Sequence, residues 1–271
     1  MYSEIGEFIG RDIMYSSDFF KVVDGAKKKR DFFYDNSKAY IMAATLAGLF
    51  VGLAIILAYT VGAKFNEYHS PATKLIMGSV FCVALVLVMF SGAELFTGNN
   101  FVMTGGLLEN EVTKKDVINI WCFSYLGNFI GSAVIALLFQ FSGLNKGIVA
   151  EYIVEGALTK INVPFEQIIV RGILCNILVC IAVWCFIKMK EETSRIIVIF
   201  LCLLVFVTSG FEHSIANMSL FMIGLLGEAS ELMSIGGAIY NIFFATIGNI
   251  IGGALFVAFP YYVISKTKVK K

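Results

Sequence analysis

Two stretches of nine residues decide how this chain folds: residues 91–99 read SGAELFTGN, and residues 209–217 read SGFEHSIAN. Each stretch places a glycine and one acidic residue, Glu94 or Glu212, inside an otherwise uncharged apolar run. The apolar piece that follows each glutamate is only about 15 residues long, whereas a helix that crosses a bilayer core needs about 20 residues. The sequence therefore predicts two helices that break in the middle of the membrane.

The composition of the whole chain agrees with a membrane location. Its 271 residues are 58% hydrophobic and 15% charged, with a mean hydropathy of +0.80, whereas soluble domains are about 45–50% apolar and 25% charged. Besides the two interrupted runs, at residues 75–108 and 196–227, four apolar windows are long enough to span a bilayer. They cover residues 39–63, 117–145, 165–187 and 232–265. The sequence thus predicts an all-α membrane protein with six transmembrane helices, of which helices 2 and 5 are broken.

The distribution of positive charge predicts the orientation. Most of the 21 Lys and Arg residues lie before the first span, in alternate loops and after the last span. By the positive-inside rule both termini are cytoplasmic. We expect a cytoplasmic N-terminal segment at residues 1–38, a transmembrane domain at 39–265 and a basic tail at 266–271. The net charge of +1 argues against a nucleic-acid-binding surface.

The N-terminal segment lacks the apolar core of a signal peptide. Its apolar residues recur at roughly helical spacing, which predicts an amphipathic helix at the membrane interface that serves for packing. These residues are Ile5, Phe8, Ile9, Ile13, Phe19, Phe20, Val22 and Val23.

The two halves of the chain repeat each other. Glu94 and Glu212 are 118 positions apart, and residues 127–133, GNFIGSA, recur 121 positions later as GNIIGGA. Three spans, an odd number, separate equivalent elements, so the second half runs through the bilayer in the opposite direction. The two breaks then meet at mid-depth, where irregular backbone is tolerated only if it is buried in protein or lines a cavity. This inverted repeat of three plus three helices predicts a pathway within each subunit.

His213 follows Glu212 directly, whereas the matching position of the first repeat holds Leu95. Ionisable residues inside a membrane are costly and mark pathways by default. We interpret His213 as a pathway-lining donor that could also exchange a proton, with structural packing as the alternative. Thr97, two residues after its own break region, is placed to hydrogen-bond the histidine or a solute.

The glutamates and glycines of the breaks recur in both repeats, which favours a structural role over proton carriage. We expect Glu94 and Glu212 to accept backbone N–H groups that are freed at Gly92 and Gly210, as a helix cap does. Asparagines inside the spans are expected to form hydrogen bonds between helices; they are Asn128, Asn176 and Asn249.

Other residues near the breaks carry weaker signals. Lys160 alone reads as an ordinary loop lysine ahead of the fourth span. Five apolar residues near the breaks fit either core packing or a hydrophobic constriction: Phe81, Leu85, Leu95, Phe96 and Phe206. Glycine pairs at four-residue spacing predict close helix packing; they are Gly48 with Gly52, Gly127 with Gly131, and Gly248 with Gly252.

At these motifs the chain resembles the formate/nitrite transporter family over roughly residues 35–265. Residues 91–99 resemble the loop that breaks the family's second helix, residues 171–184 its fourth helix, and residues 209–218 its fifth-helix break. The sequence Thr97-Gly98-Asn99 is similar to the nitrite and hydrosulfide branches rather than to the formate branch. The resemblance implies an aquaporin-like protomer in a homopentamer, with one anion pathway in each protomer.

The resemblance also implies roles for individual residues. His213 matches the family's central histidine and Thr97 its threonine partner, and Lys160 matches a lysine that makes the vestibule electropositive. Asn176 and Asn249 match asparagines near the pathway. Two constrictions are implied, one formed by Phe81 and Phe206 and the other by Leu85, Leu95 and Phe96.

The resulting expectation is a channel for small monovalent anions of weak acids (nitrite, hydrosulfide or formate) in a bacterial inner or plasma membrane. An isolated anion in an apolar constriction costs about 20 kcal/mol in the idealised Born treatment, so its charge must be cancelled. We expect Lys160 to attract the anion, and His213 with Thr97 to donate a hydrogen bond or a proton. A proton-coupled transporter of the same anions is the alternative, since the motifs specify neither stoichiometry nor gating.

Other classes of protein fit less well. A neutral-solute pore of the aquaporin type would carry paired Asn-Pro-Ala breaks, which the chain lacks. Its six cysteines form no CxxC spacing and its two histidines are far apart, which argues against a disulfide framework, a zinc site or a redox centre. We therefore expect no enzyme activity, no metal and no cofactor.

Overall fold

The computed structural model describes residues 16–267, and every regular element in that range is helical. In chain order the α-helices are α1 Ser16–Asp35, α2 Ser37–Glu67, α3 Thr73–Phe81, α4 Val83–Ser91, α5 Phe96–Leu108, α6 Lys114–Phe141, α7 Gly147–Ile161, α8 Phe165–Lys188, α9 Glu192–Thr208, α10 Ser214–Leu226, α11 Ile235–Gly253 and α12 Phe259–Lys266. A 3₁₀ turn, Ser230–Leu232, precedes α11, and a π-helical segment, Ala254–Ala258, joins α11 to α12.

Five helical segments are long and apolar enough to cross a membrane. They are Ser37–Glu67, Thr73–Ser91, Lys114–Phe141, Phe165–Lys188 and Ile235–Lys266. The remaining predicted span is divided into α9, with 17 residues, and α10, with 13 residues. The chain is therefore an all-helical, multi-pass membrane protein.

Two pairs of helices cross at very short range, and glycines make this possible. A Cβ on Gly131 of α6 would collide with the backbone of Thr45 and Leu49 on α2, and a Cβ on Gly248 of α11 would collide with the backbone of Ile169 on α8. The predicted glycine pairs thus serve close packing. The α2–α6 and α8–α11 crossings occupy equivalent places in the two repeats.

Helix α1 packs against protein rather than lying free at the interface. Its buried residues are Phe19, Val22, Val23, Ala26 and Phe33, and they pack against the cluster around Phe101 of α5. Ion pairing of Lys27 with Glu111, at 3.1 Å, fastens the helix to the α5–α6 loop. Predicted helical residues Ile5, Phe8, Ile9 and Ile13 lie outside the described residues, as does most of the basic tail at 266–271.

Helix α7 was not predicted from the sequence. Its buried residues, Ala150, Ile153, Val154 and Ala157, follow the spacing of one helix face. The sequence analysis did not find this helix because it is only 15 residues long and carries three charges, Glu151, Glu155 and Lys160, so it does not meet the criteria for a membrane span. It matters for function because Lys160 lies in its last turn.

The helix crossing yields a prediction about stability. Gly131→Ala should destabilise the protein by about 1–3 kcal/mol, because the added methyl group must force α2 and α6 apart. Thermal unfolding in detergent measures the change. Gly25→Ala is the matched control: a Cβ there meets only Val102 at an ordinary 3.6 Å, so its melting temperature should not fall. An equal response of both variants would contradict this account.

Candidate functional site

Two non-helical segments organise the centre of the protein. The first break, residues 92–95, follows α4, and the second break, residues 209–213, follows α9. Gly92 has φ +74° and Gly210 has φ +73°, a left-handed conformation that glycine adopts without strain. The chain is then extended at Leu95 and His213, which become the N-cap residues of α5 and α10.

The first break is held by Asn128 of α6. Its side-chain oxygen accepts a hydrogen bond from the backbone N–H of Phe96 at 2.9 Å. Its amide nitrogen donates to the carbonyls of Ala44, at 2.8 Å, and Glu94, at 2.9 Å. One buried side chain therefore satisfies backbone groups from the break and from α2.

The second break is held in the same way by Asn249 of α11. Its oxygen accepts from the Ser214 N–H at 2.9 Å. Its nitrogen donates to the carbonyls of Gly172 and Glu212, both at 2.9 Å. Asn249 was expected beside the pathway, but all of its side-chain atoms that can hydrogen-bond are engaged by the backbone, which gives it the structural role of Asn128.

We expected the glutamates to cap the helices that follow the two breaks, but Asn128 and Asn249 accept those backbone N–H groups. Instead each carboxylate accepts bonds from side chains. Glu212 is 1% exposed and binds the Lys160 ammonium at 3.0 Å, Asn217 at 2.5 Å and Asn241 at 3.5 Å. Buried charges require such pairing, which explains why a carboxylate persists here.

Glu94 has an equivalent set of partners. It accepts from the Lys29 ammonium at 2.7 Å to each oxygen, from Tyr40 at 3.1 Å and from Asn99 at 3.0 Å. Lys29, on α1, thus occupies the place in the first repeat that Lys160 occupies in the second. Sequence reasoning missed Lys29, which is hidden in the basic run at residues 27–30. The repetition of the Glu94 and Glu212 motifs was the signal that each needs a cation.

His213 and Thr97 join the two repeats at the centre. The Nε2 atom of His213 lies 3.1 Å from Thr97 Oγ1, and its Nδ1 accepts the backbone N–H of Ala216 at 3.1 Å. Because Nδ1 is an acceptor, the hydrogen of the neutral ring belongs on Nε2. The N-cap of α10 therefore fixes the tautomer and directs the N–H bond toward Thr97.

Asn176 lies behind this pair. Its amide nitrogen donates to the carbonyls of Thr97, at 3.2 Å, and Asn249, at 2.6 Å, and to Asn100 Oδ1 at 3.1 Å. Its own Oδ1 is buried without a partner among the described residues. Asn176 thus supports the segment that carries Thr97 rather than facing the histidine.

A cavity of about 630 Å³, which we call the vestibule, reaches His213. Its lining includes the paired Lys160 and Glu212, two further cations, Lys74 and Arg171, and two aromatic rings, Phe81 and Phe206. The rings of Phe81 and Phe206 meet edge to face with centroids 5.6 Å apart, and Phe206 stacks on His213 at 6.0 Å. These two phenylalanines therefore form the apolar floor of the vestibule.

Beyond that floor lies a small apolar chamber of about 10 Å³, close to the space that one water molecule needs. Leu85 and Leu95, predicted for the second constriction, line it together with His213. Phe96 is placed differently: its ring packs edge to face against Tyr125, with centroids 5.0 Å apart.

Known proteins share this sequence pattern over most of the chain. A family model described as "Formate/nitrite transporter" matches residues 17–263. The chain is 36% identical over 229 residues to the "Nitrite transporter NirC" of Escherichia coli (strain K12), and the match covers 84% of each chain.

Two solved structures have the same fold. One, named "FNT family ion channel", has a TM-score of 0.86 and 33% identity, covering 91% of this chain and 98% of its own. The other, named "Pentameric formate channel with formate bound", has a TM-score of 0.73 and 28% identity, covering 83% and 96%.

The hydrogen bonds that Asn249 makes at the second break can be tested directly. Asn249→Leu keeps the side-chain volume but removes the partner of the Ser214 N–H and of the Glu212 carbonyl, each at a cost of about 1–3 kcal/mol. We expect a large loss of folded protein, measured as the monodisperse fraction in detergent. Asn162→Leu is the control, because Asn162 is exposed and its side chain donates one hydrogen bond, to the Leu158 carbonyl of its own helix. A normal yield of Asn249→Leu would contradict the role of Asn249 in holding the second break.

Proposed function

This chain belongs to the formate/nitrite transporter family, and from that premise we propose that it moves small monovalent anions of weak acids, such as nitrite and formate, across a membrane. The relatives and structural neighbours are named as transporters and channels and not as enzymes. The observation in this chain that carries the proposal is the fixed His213 N–H at the junction of a cation-lined vestibule and an apolar chamber.

The proposed architecture has six crossings. Helices α9 and α10, joined by the second break, together form the fifth, and α3 to α5 form the second in the same manner. The equivalent hydrogen bonds that Asn128 and Asn249 make to the two breaks support an inverted repeat with an aquaporin-like arrangement. We further propose a homopentamer, since the neighbouring formate channel is named as pentameric, with both termini cytoplasmic, in a bacterial plasma membrane.

Electrostatics explains how an anion enters the vestibule. Lys160 is paired with Glu212, so its charge is largely balanced. Lys74 and Arg171 add two positive charges to the lining and Glu155 adds one negative charge, which leaves the lining net positive. The N-terminus of α10 also points its positive dipole end at the site. These charges favour anions over cations at the phenylalanine floor, where the anion must lose water.

At the floor, His213 supplies a hydrogen bond in place of water. Its Nδ1 is bound to the Ala216 N–H, so only the Nε2 hydrogen is available to an anion. Handing over that hydrogen as a proton would leave the ring anionic until it took up another proton, and Nδ1 is already occupied by the Ala216 N–H. The geometry therefore favours hydrogen bonding over proton donation, with Thr97 as the group that holds the N–H when no anion is present.

Transport assays test the proposal. In proteoliposomes we expect nitrite and formate to flow down their gradients, while hydrosulfide tests the third predicted substrate and a larger carboxylate is excluded by the narrow floor. A proton gradient alone should not concentrate the anion inside. Accumulation driven only by protons would identify the proton-coupled transporter instead, and no flux of any small anion would contradict the proposed function.

The histidine can be tested without loss of structure. In His213→Asn the shorter side chain can still cap α10, since asparagine is a strong N-cap residue, but it cannot reach Thr97. We expect anion flux to fall at least about tenfold, the value of one hydrogen bond to a charged group. His69→Asn is the control: His69 has φ 50°, a conformation that asparagine tolerates, so flux should be unchanged. Equal flux in both variants would remove His213 from the mechanism.

A further inference from the structure

We propose that the hydroxyl of Tyr59 is a hydrogen-bond donor to the anion in the vestibule, and that it favours oxyanions over hydrosulfide. This inference rests on the proposed function and adds a residue that determines specificity. Tyr59 lies on α2 and lines the vestibule with Lys160, Phe81 and His213.

The burial and the hydrogen bonding of the Tyr59 hydroxyl point to a ligand. The residue is only 9% exposed, yet among residues 16–267 its hydroxyl has no hydrogen-bond partner. The oxygen is also absent from the set of fully buried unpaired polar atoms, which means that it opens to the cavity. A nearly buried donor without a partner is costly unless water or a solute binds it.

The ring of Tyr59 is held in one position by its neighbours. A Cβ at Gly156 would lie 2.7 Å from the Tyr59 hydroxyl oxygen, so only glycine leaves room for the phenol there. On its other side the ring contacts Tyr152, with centroids 5.7 Å apart. Such a donor needs little reordering to bind a ligand, which is the benefit of preorganisation.

The Tyr59 hydroxyl also lies near the other groups that line the vestibule. Gly156 is one helical turn before Lys160 on α7, so the phenol oxygen lies beside the turn that carries the ammonium. Phe81 and Phe206 form the floor of the same cavity. The phenol therefore lines the same cavity as the ammonium and the apolar rings, within the space that an anion would occupy.

The chemistry of a phenol donor distinguishes between the predicted substrates. Nitrite and formate present oxygen atoms, which are strong hydrogen-bond acceptors, whereas sulfur is a weak acceptor. A site that supplies a fixed O–H donor discriminates against a solute that cannot use it, because the donor is then left unpaired. Tyr59 should thus lower the cost of dehydration for an oxyanion and do little for hydrosulfide.

The experiment is to compare anion uptake by wild-type protein and Tyr59→Phe in proteoliposomes, with nitrite and with hydrosulfide in alkaline buffer, after subtraction of protein-free liposomes. At low anion concentration we expect nitrite uptake to fall about tenfold and hydrosulfide uptake to change less than twofold. The apparent KM for nitrite should rise, with its maximal rate less affected.

Tyr152→Phe is the matched control. It removes a hydroxyl from the same cavity, but that hydroxyl bonds to Met77 Sδ at 3.4 Å. The ratio of nitrite to hydrosulfide uptake should therefore stay at the wild-type value. Gly156→Ala, which displaces the phenol, should reproduce the altered ratio of Tyr59→Phe.

The outcomes distinguish a failure of the role of Tyr59 from a failure of the proposed function. If Tyr59→Phe is recovered as folded protein and its uptake ratio is that of the wild type, the role of Tyr59 is wrong while the proposed function stands. An equal loss for both anions would also overturn it, because it would indicate a general structural effect. If the wild-type protein moves neither anion, the proposed function itself fails.

Discussion

The whole arrangement depends on pairing the backbone N–H and C=O groups at the two breaks, residues 92–95 and 209–213, where the chain leaves the helical conformation. A helix end leaves N–H and C=O groups unpaired, and in an apolar environment each such group is costly. Asn128 and Asn249 meet this requirement with the same three hydrogen bonds in each repeat. Because both asparagines bind the break and a neighbouring helix at once, they also fix where the two breaks lie relative to the packed helices.

The buried carboxylates follow from the same geometry. Each glutamate lies within a break and is balanced by a lysine from a helix that is not part of the broken pair, Lys29 on α1 and Lys160 on α7. The two lysines lie on helices that hold equivalent places in chain order, since α1 precedes α2 and α7 precedes α8.

The two repeats differ at the residue on which the proposed function depends. The second repeat places His213 where the first has Leu95, so one side of the junction offers a hydrogen-bond donor and the other an apolar wall. On the route that we propose, an anion in the vestibule meets positive charge, the phenol of Tyr59, two phenylalanines and the imidazole N–H. Each step replaces part of the hydration that the anion loses, which is what a passage through an apolar constriction requires.

The sequence by itself determined the membrane class, the positions of the breaks, the repeat and the family, because each depends on apolar length, on glycine and on motifs that are local in the chain. It also identified His213 and Thr97 as a pair. The tertiary structure alone decided which partner each polar group takes: Lys29 with Glu94, asparagines rather than glutamates at the helix ends, and Tyr59 in the vestibule. These choices depend on distances between residues remote in the chain, such as Lys29 and Glu94. A pattern of residue types specifies that a buried charge or a free N–H needs a partner, but only packing in three dimensions selects which one lies within reach.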